Sequence, residues 1–152
     1  MLYYFDSSAV VKRYAPERGS GWVGVIIETT QNTVYLNQIG VVEVAAALAK
    51  KIRTRELTVE DYEAALWLFL TDLANKEYAV VPLGDHIVES AVELTRRHPL
   101  RGYDAVHLAT AATMRTALHG KGLPPLVFVS ADQALCEAAE AEGLPPVNPN
   151  EH

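Results

Sequence analysis

Short apolar runs alternate with longer stretches of helical periodicity along the whole chain. Leu2–Phe5 is a four-residue aromatic-rich run, which predicts a buried strand. A helical stretch over 8–14 follows and is stopped by Pro16. Residues 19–30 read as a second helix. Thr33–Asn37 is β-branched and aromatic, the composition of a strand. The alanine-rich stretch 40–53 and the stretch 58–74 predict two more helices, the second opened by a capping pair, Thr58 and Asp61. Tyr78–Val81 reads as a strand, 84–97 as a helix ended by His98-Pro99, and 103–118 as a helix ended by the Gly120-Lys121-Gly122 turn. Leu126–Val129 is a fully apolar strand, 131–142 a helix, and Pro145-Pro146 leads into a short last strand or tail. Strands alternating with helices predict an α/β fold: a central parallel sheet with helices on both faces. No repeat or linker interrupts it, so 1–148 is expected as one domain and 149–152 as a tail.

Composition changes this picture little. The 152 residues can bury a substantial core, and 49% hydrophobic with 21% charged residues excludes a disordered or fibrous chain. A single cysteine, Cys136, excludes an intramolecular disulfide and fits a reducing cytosol. No signal peptide is legible at the N-terminus, and the apolar runs are far shorter than a membrane span, so a cytoplasmic protein off the membrane is expected.

Charge complicates matters. A formal net charge of −6 speaks against a polyanionic partner. Nine of the 13 Lys and Arg residues nevertheless cluster: Lys12 and Arg13; Lys50, Lys51, Arg53 and Arg55; Arg96, Arg97 and Arg101. Each cluster lies within about a dozen residues of an acid singled out below.

Four acids carry candidate chemistry. Asp6 directly follows the first strand, where open α/β sheets bind ligands, although Asp-Ser-Ser is also good turn sequence. Glu43 lies in a helix whose first two turns are otherwise apolar all round. Such a helix is expected to be buried, and its carboxylate then needs a partner: a metal, or a distant arginine. Asp104 sits at the start of its helix, where the dipole favours an anion. Asp132 follows the strand Leu126–Val129. Ser130 and Gln133 have capping-box spacing, which puts Asp132 in the first helical turn. Strand ends and the helix starts that follow them share one edge of a parallel sheet. Carboxylates gathered there repel unless a hard divalent cation such as Mg²⁺ or Mn²⁺ binds them.

Other chemistry finds less support. The five histidines lack zinc spacing. His107, one turn from Asp104, reads as a packed residue that could orient it. Cys136 has no base nearby and reads as an inert core thiol. Gly19, Gly21 and Gly24 do not follow a strand, so no phosphate loop is present. Tyr3, Tyr4, Trp67 and Phe69 read as core.

The segments FDSSAVVKRY, VVEVAAAL, LRGYDAVHLATA and FVSADQAL, in this order and spacing, resemble the PIN-domain family, and within it the VapC-type toxins of toxin–antitoxin pairs. The resemblance runs from Leu2 to about Asn148. It implies a three-layer sandwich and Mg²⁺- or Mn²⁺-dependent endoribonuclease activity. It also implies a homodimer and a small antitoxin that binds near the active site. The family's acids fall on Asp6, Glu43, Asp104 and Asp132, with Ser7 and Ser130 as neighbouring hydroxyls. Asp6, Glu43 and Asp104 would be the main metal ligands, and Asp132 would hold a second metal or orient water. Lys12, Arg13 and Arg101 are candidates to hold the RNA backbone. Rival readings are a housekeeping RNA-processing nuclease and a non-catalytic module that binds RNA or protein. A haloacid dehalogenase-like phosphatase is disfavoured, because Ser8 stands where its second Asp belongs.

Overall fold

In the computed structural model, which describes residues 1–152, five parallel strands form one sheet. The chain runs β1 (Leu2–Phe5), α1 (Ser7–Val10), a 3-10 turn (Val11–Arg13), α2 (Ser20–Glu28), β2 (Thr33–Asn37), α3 (Gln38–Arg53) and α4 (Val59–Ala74). It continues through β3 (Tyr78–Val81), α5 (Asp85–Arg97), α6 (Gly102–His119), β4 (Leu126–Val129), α7 (Gln133–Ala141), β5 (Pro146–Val147) and a 3-10 turn (Pro149–Glu151).

Strand order is β3-β2-β1-β4-β5, with Leu2 paired to both Thr33 and Leu126. The chain winds outward from β1 to β3, then crosses back to β4 on the other side of β1. The order therefore reverses between β1 and β4, and the crevice beyond their carboxyl ends is where such sheets bind ligands.

Side chains alternate across a strand, so Tyr4 and Phe5, both fully buried, serve opposite layers. Phe5, Val34, Leu36 and Tyr78 pack with α1 to α4. Tyr4, Leu126 and Phe128 pack with α5, α6 and α7. This is the three-layer sandwich expected from the alternating pattern.

Three local readings are corrected. Helix α3 is not buried all round: Gly40, Val44 and Leu48 face inward, whereas Val42 is 66% exposed and Ala46 is exposed. Alanines read as apolar in sequence, but here they floor an open cleft. Trp67 is 68% exposed rather than core. On α4 the inward stripe is Ala65, Phe69 and Asp72, and position 67 falls about 200° from Ala65 around the helix. Residues 149–152, read as a tail, are docked: Asn150 accepts a hydrogen bond from Lys12 Nζ at 2.8 Å, and the His152 ring stacks on Trp22.

Candidate active site

Asp6 ends β1 and caps α1, its Oδ1 accepting the Ala9 N–H at 2.9 Å. It is almost wholly buried. The Ser8 hydroxyl donates to the same carboxylate, 2.7 and 2.9 Å from its two oxygens. The Ser130 hydroxyl donates to Oδ2 at 2.7 Å. Burial pushes the Asp6 carboxyl above its ordinary range. The nearby His107 ring and the hydrogen bonds from Ser130, Ser8 and Ala9 pull the other way without cancelling it.

Ser8 is the functional residue that sequence reasoning passed over. Its Oγ also accepts the Ala131 N–H at 2.9 Å, tying the β1 end to the β4 end. Ser7 lines the neighbouring cleft and makes no side-chain hydrogen bond. The signal was present in the repeated hydroxyl of Asp-Ser-Ser. Which serine turns inward depends on where α1 starts, and it starts at Ser7, one residue earlier than the pattern indicated.

Ser130 does not cap α7. Its hydroxyl is spent on Asp6, and its oxygen accepts the Asp132 N–H at 3.0 Å. Asp132 is itself the cap, with Oδ1 accepting from Leu135 N at 3.0 Å, which leaves Oδ2 toward the open edge. Asp104 lies in the first turn of α6, capped by the backbone of Arg101. The Arg101 guanidinium grips Asp104 through Nε at 2.8 Å and Nη2 at 3.4 Å, and reaches Asp132 Oδ2 at 3.6 Å. One exposed cation thus stands between two of the four acids.

Glu43 meets neither a lysine nor an arginine. Its Oε2 lies 2.6 Å from Nε2 of the buried His107, whose Nδ1 lies 2.8 Å from Tyr4 Oη. Burial holds the Tyr4 phenol far above its ordinary pKa, so it stays protonated. An imidazole that donates from Nε2 to the carboxylate accepts the tyrosine proton at Nδ1, and the phenol and both ring nitrogens are then satisfied. His107 therefore orients Glu43, not Asp104. Gly40 makes room for this: a Cβ there would sit 2.4 Å from Leu36 Cδ1 and 3.0 Å from His107 Cε1.

Of the basic candidates, only Arg101 reaches the acids. Lys12 is buried, with Nζ donating to Arg18 O and Asn150 Oδ1, both at 2.8 Å, and lying 3.6 Å from Glu17. Arg13 points into a separate recess, paired with Glu28 at 2.6 Å.

A cleft of about 720 Å³ opens beside Glu43, Ser8 and Arg101. Another hollow, about 440 Å³, lies by the start of β4 at the opposite sheet edge and has no carboxylate in its lining. As the side chains stand, no three His, Cys, Asp or Glu residues come close enough to make a ready metal ligand set. The donor chemistry nonetheless suits a hard cation, since the four acids offer carboxylate oxygens only. The cation that Asp104 and Asp132 share is exchangeable. Arg101, with a side chain 79% exposed, can swing away from Asp104 and Asp132. The Ser8 and Ser130 hydroxyls can keep orienting Asp6.

Known proteins bear on this arrangement. Residues 3–141 match the PIN domain family. The chain is 33% identical over 144 residues to the ribonuclease VapC45 of Mycobacterium tuberculosis, covering 93% of this chain and 92% of that one. Its fold is similar to that of FitAcB from Neisseria gonorrhoeae, with a TM-score of 0.62 at 18% identity, covering 97% of both chains. It is also similar to a chain of a toxin–antitoxin complex from Klebsiella pneumoniae, with a TM-score of 0.60 at 20% identity and 97% of both chains covered. A family match across nearly the whole chain, together with a one-third-identical relative of equal extent, makes this chain a member of the PIN-domain family.

Proposed function

We propose that the chain is a divalent-metal-dependent endoribonuclease, the toxin of a toxin–antitoxin pair. The observation that carries this reading is local charge reversal. In a protein of net charge −6, six of the 13 cations line the cleft beside the acids, against two lining acids, Glu17 and Glu43. Such a lining draws a polyanion. The family and the ribonuclease relative support RNA as that polyanion.

Asp6, Glu43 and Asp104 would hold Mg²⁺ or Mn²⁺, and Asp132 would hold a second ion or orient water. The metal, when bound, supplies water activation and neutralises charge on the phosphate and leaving oxygen. The chain's own residues prepare this. Ser8 reaches both oxygens of Asp6, and Ser130 holds Oδ2. Tyr4 and His107 fix Glu43 from behind. Arg101 turns from the acids to a substrate phosphate. Lys12 supports the cleft wall and Arg13 takes no part, because their charges are already engaged.

A small antitoxin would cover the cleft; the similarity to a chain of a toxin–antitoxin complex supports this. The homodimer is carried by the family resemblance alone. No helix is long and apolar enough to cross a membrane.

The test is Asp6→Asn with an RNA substrate and Mn²⁺. Loss of cleavage in a folded protein is expected, and full metal-dependent activity would overturn the reading. The rival non-catalytic module draws on the absence of a ready ligand set. Titration with Mn²⁺ by calorimetry decides between them: the nuclease binds the ion and loses it in Glu43→Gln, whereas the module shows no such site.

A further inference from the structure

The six cations of the cleft are not equivalent. Lys12 is committed to Arg18 O, Asn150 and Glu17. Lys51 lies 3.6 Å from Glu17 and 2.8 Å from Glu56. Arg101 is held by Asp104 and Asp132. The other three, Arg18, Lys50 and Arg53, are exposed, line the cleft and pair with no acid.

Two of these three stand on one face of α3. Glu43, Ala46, Ala47, Lys50 and Arg53 all line the cleft, a spacing that keeps them in register along the helix. At 1.5 Å per residue, Lys50 lies about 10 Å and Arg53 about 15 Å along the axis from Glu43. The two alanines between them leave a floor without protruding side chains. Arg18, on the loop before α2, supplies a free cation to the same cleft. Lys50 and Arg53 therefore form a row leading away from the acid end, and Arg18 adds a third unpaired charge to the same cleft.

We infer that Arg18, Lys50 and Arg53 are the phosphate track of the enzyme, holding a single RNA strand on the α3 side of the scissile bond. The assignment rests on the ribonuclease reading and adds which residues carry affinity, on which side, for which form of RNA. Unpaired cations are the ones that gain by meeting phosphates. Lys12 and Lys51 would first have to give up protein partners. The cleft has the volume of a small-molecule pocket, about 300–1,000 Å³, and one row of cations fits one backbone. A duplex would have to lie across the mouth, beyond the floor of the track.

The experiment measures binding without cleavage. A fluorescent single-stranded RNA 20-mer is titrated with the full protein in EDTA, over a series of salt concentrations, and the slope of log Kd against log salt is read. Each single-strand phosphate contact contributes about 0.7 to that slope. The Lys50→Ala/Arg53→Ala variant is expected to lower it by about 1.4, and adding Arg18→Ala by about 2 in all. Lys76→Asn/Lys121→Ala, which makes the same charge change away from the cleft, is expected to leave the slope unaltered. All three substituted side chains of the track are exposed, and Mn²⁺ binding by calorimetry checks that the acid end is intact. An unchanged slope in the track variant would overturn the assignment. So would an equal loss in the remote control, or a 20-base-pair RNA duplex bound as tightly as the single strand. Because the salt slope is read without metal or turnover, this result stands apart from that of Asp6→Asn.

Discussion

Asp6 and Asp72 are both buried carboxylates, and both touch hydroxyls, yet they are set in opposite ways. Asp72, on the inner face of α4, accepts from Tyr14 Oη at 2.7 Å, and Tyr14 Oη lies 2.8 Å from Tyr78 Oη. Two aromatic rings bury the group's surroundings and push both phenols above their ordinary pKa, so they remain hydrogen-bond donors. That arrangement ties the turn after α1 to α4 and β3, and it is a seam of the fold. Asp6 is gripped instead by two serines, at the strand-order reversal beside a cleft. Its own carboxyl is the group whose pKa is raised, so burial there works against the charge and favours a bound cation. The two acids differ in their partners rather than in depth: Asp72 is locked to a pair of phenols inside the fold, while Asp6 is held by small hydroxyls at the switch point.

The contrast breaks most decisively with Asp6→Asn. Cleavage is expected to fall about a thousandfold or more, the scale of removing one charge from a preorganised site. The melting temperature should hold or rise, because a buried charge is removed while Asn keeps an acceptor for Ala9 N. A large loss of stability would make Asp6 a fold residue like Asp72. The mirror variant, Asp72→Ala, is expected to cost about 2 kcal/mol in urea unfolding, since it leaves one of the two phenol protons of Tyr14 and Tyr78 without an acceptor, and to leave cleavage per folded molecule intact.

Gly40→Ala sharpens the comparison, because it attacks a sealed part of the active edge. The added methyl meets Leu36 and His107, and overpacking of this kind costs about 1–3 kcal/mol. Activity should fall beyond what unfolding explains, since His107 orients Glu43. Denaturant curves and turnover on the same samples separate the two. A smaller effect is expected from Arg101→Gln. Removing a cation beside Asp104 and Asp132 should tighten Mn²⁺ binding by about 3- to 10-fold at low salt. Weaker binding would mean that Arg101 organises the acids rather than competing for them.

The smallest effect concerns Cys136, beneath the site, whose Sγ donates to Ser130 O at 3.3 Å. Burial, with help from Asp6 and Asp132, pushes its thiol up to about 11. A raised folded pKa means that the neutral thiol's contribution is complete below the ordinary thiol value and is lost as pH rises toward about 11. Alkylation by iodoacetamide at pH 9 should therefore be slow in the native protein and fast in urea.

The sequence by itself determined the elements and the kinds of chemistry. Strands β1 to β4 have the bounds that their apolar runs indicate, because a strand's pattern is local and its ends are cut by turn residues. Helix periods and the Thr58 cap were legible for the same reason: they depend on neighbours within a few positions. Only the tertiary structure decided the pairings. His107 meets Glu43 across 64 residues, Ser130 meets Asp6 across 124, and Lys12 is closed off by Asn150 across 138. No local energy selects such partners. They follow from strand order, which sets β1 beside β4, and from a glycine that lets α3 approach α6. Sequence could also not tell an alanine that faces a core from one that floors a cleft, because the same methyl suits both, and only packing says which side is empty.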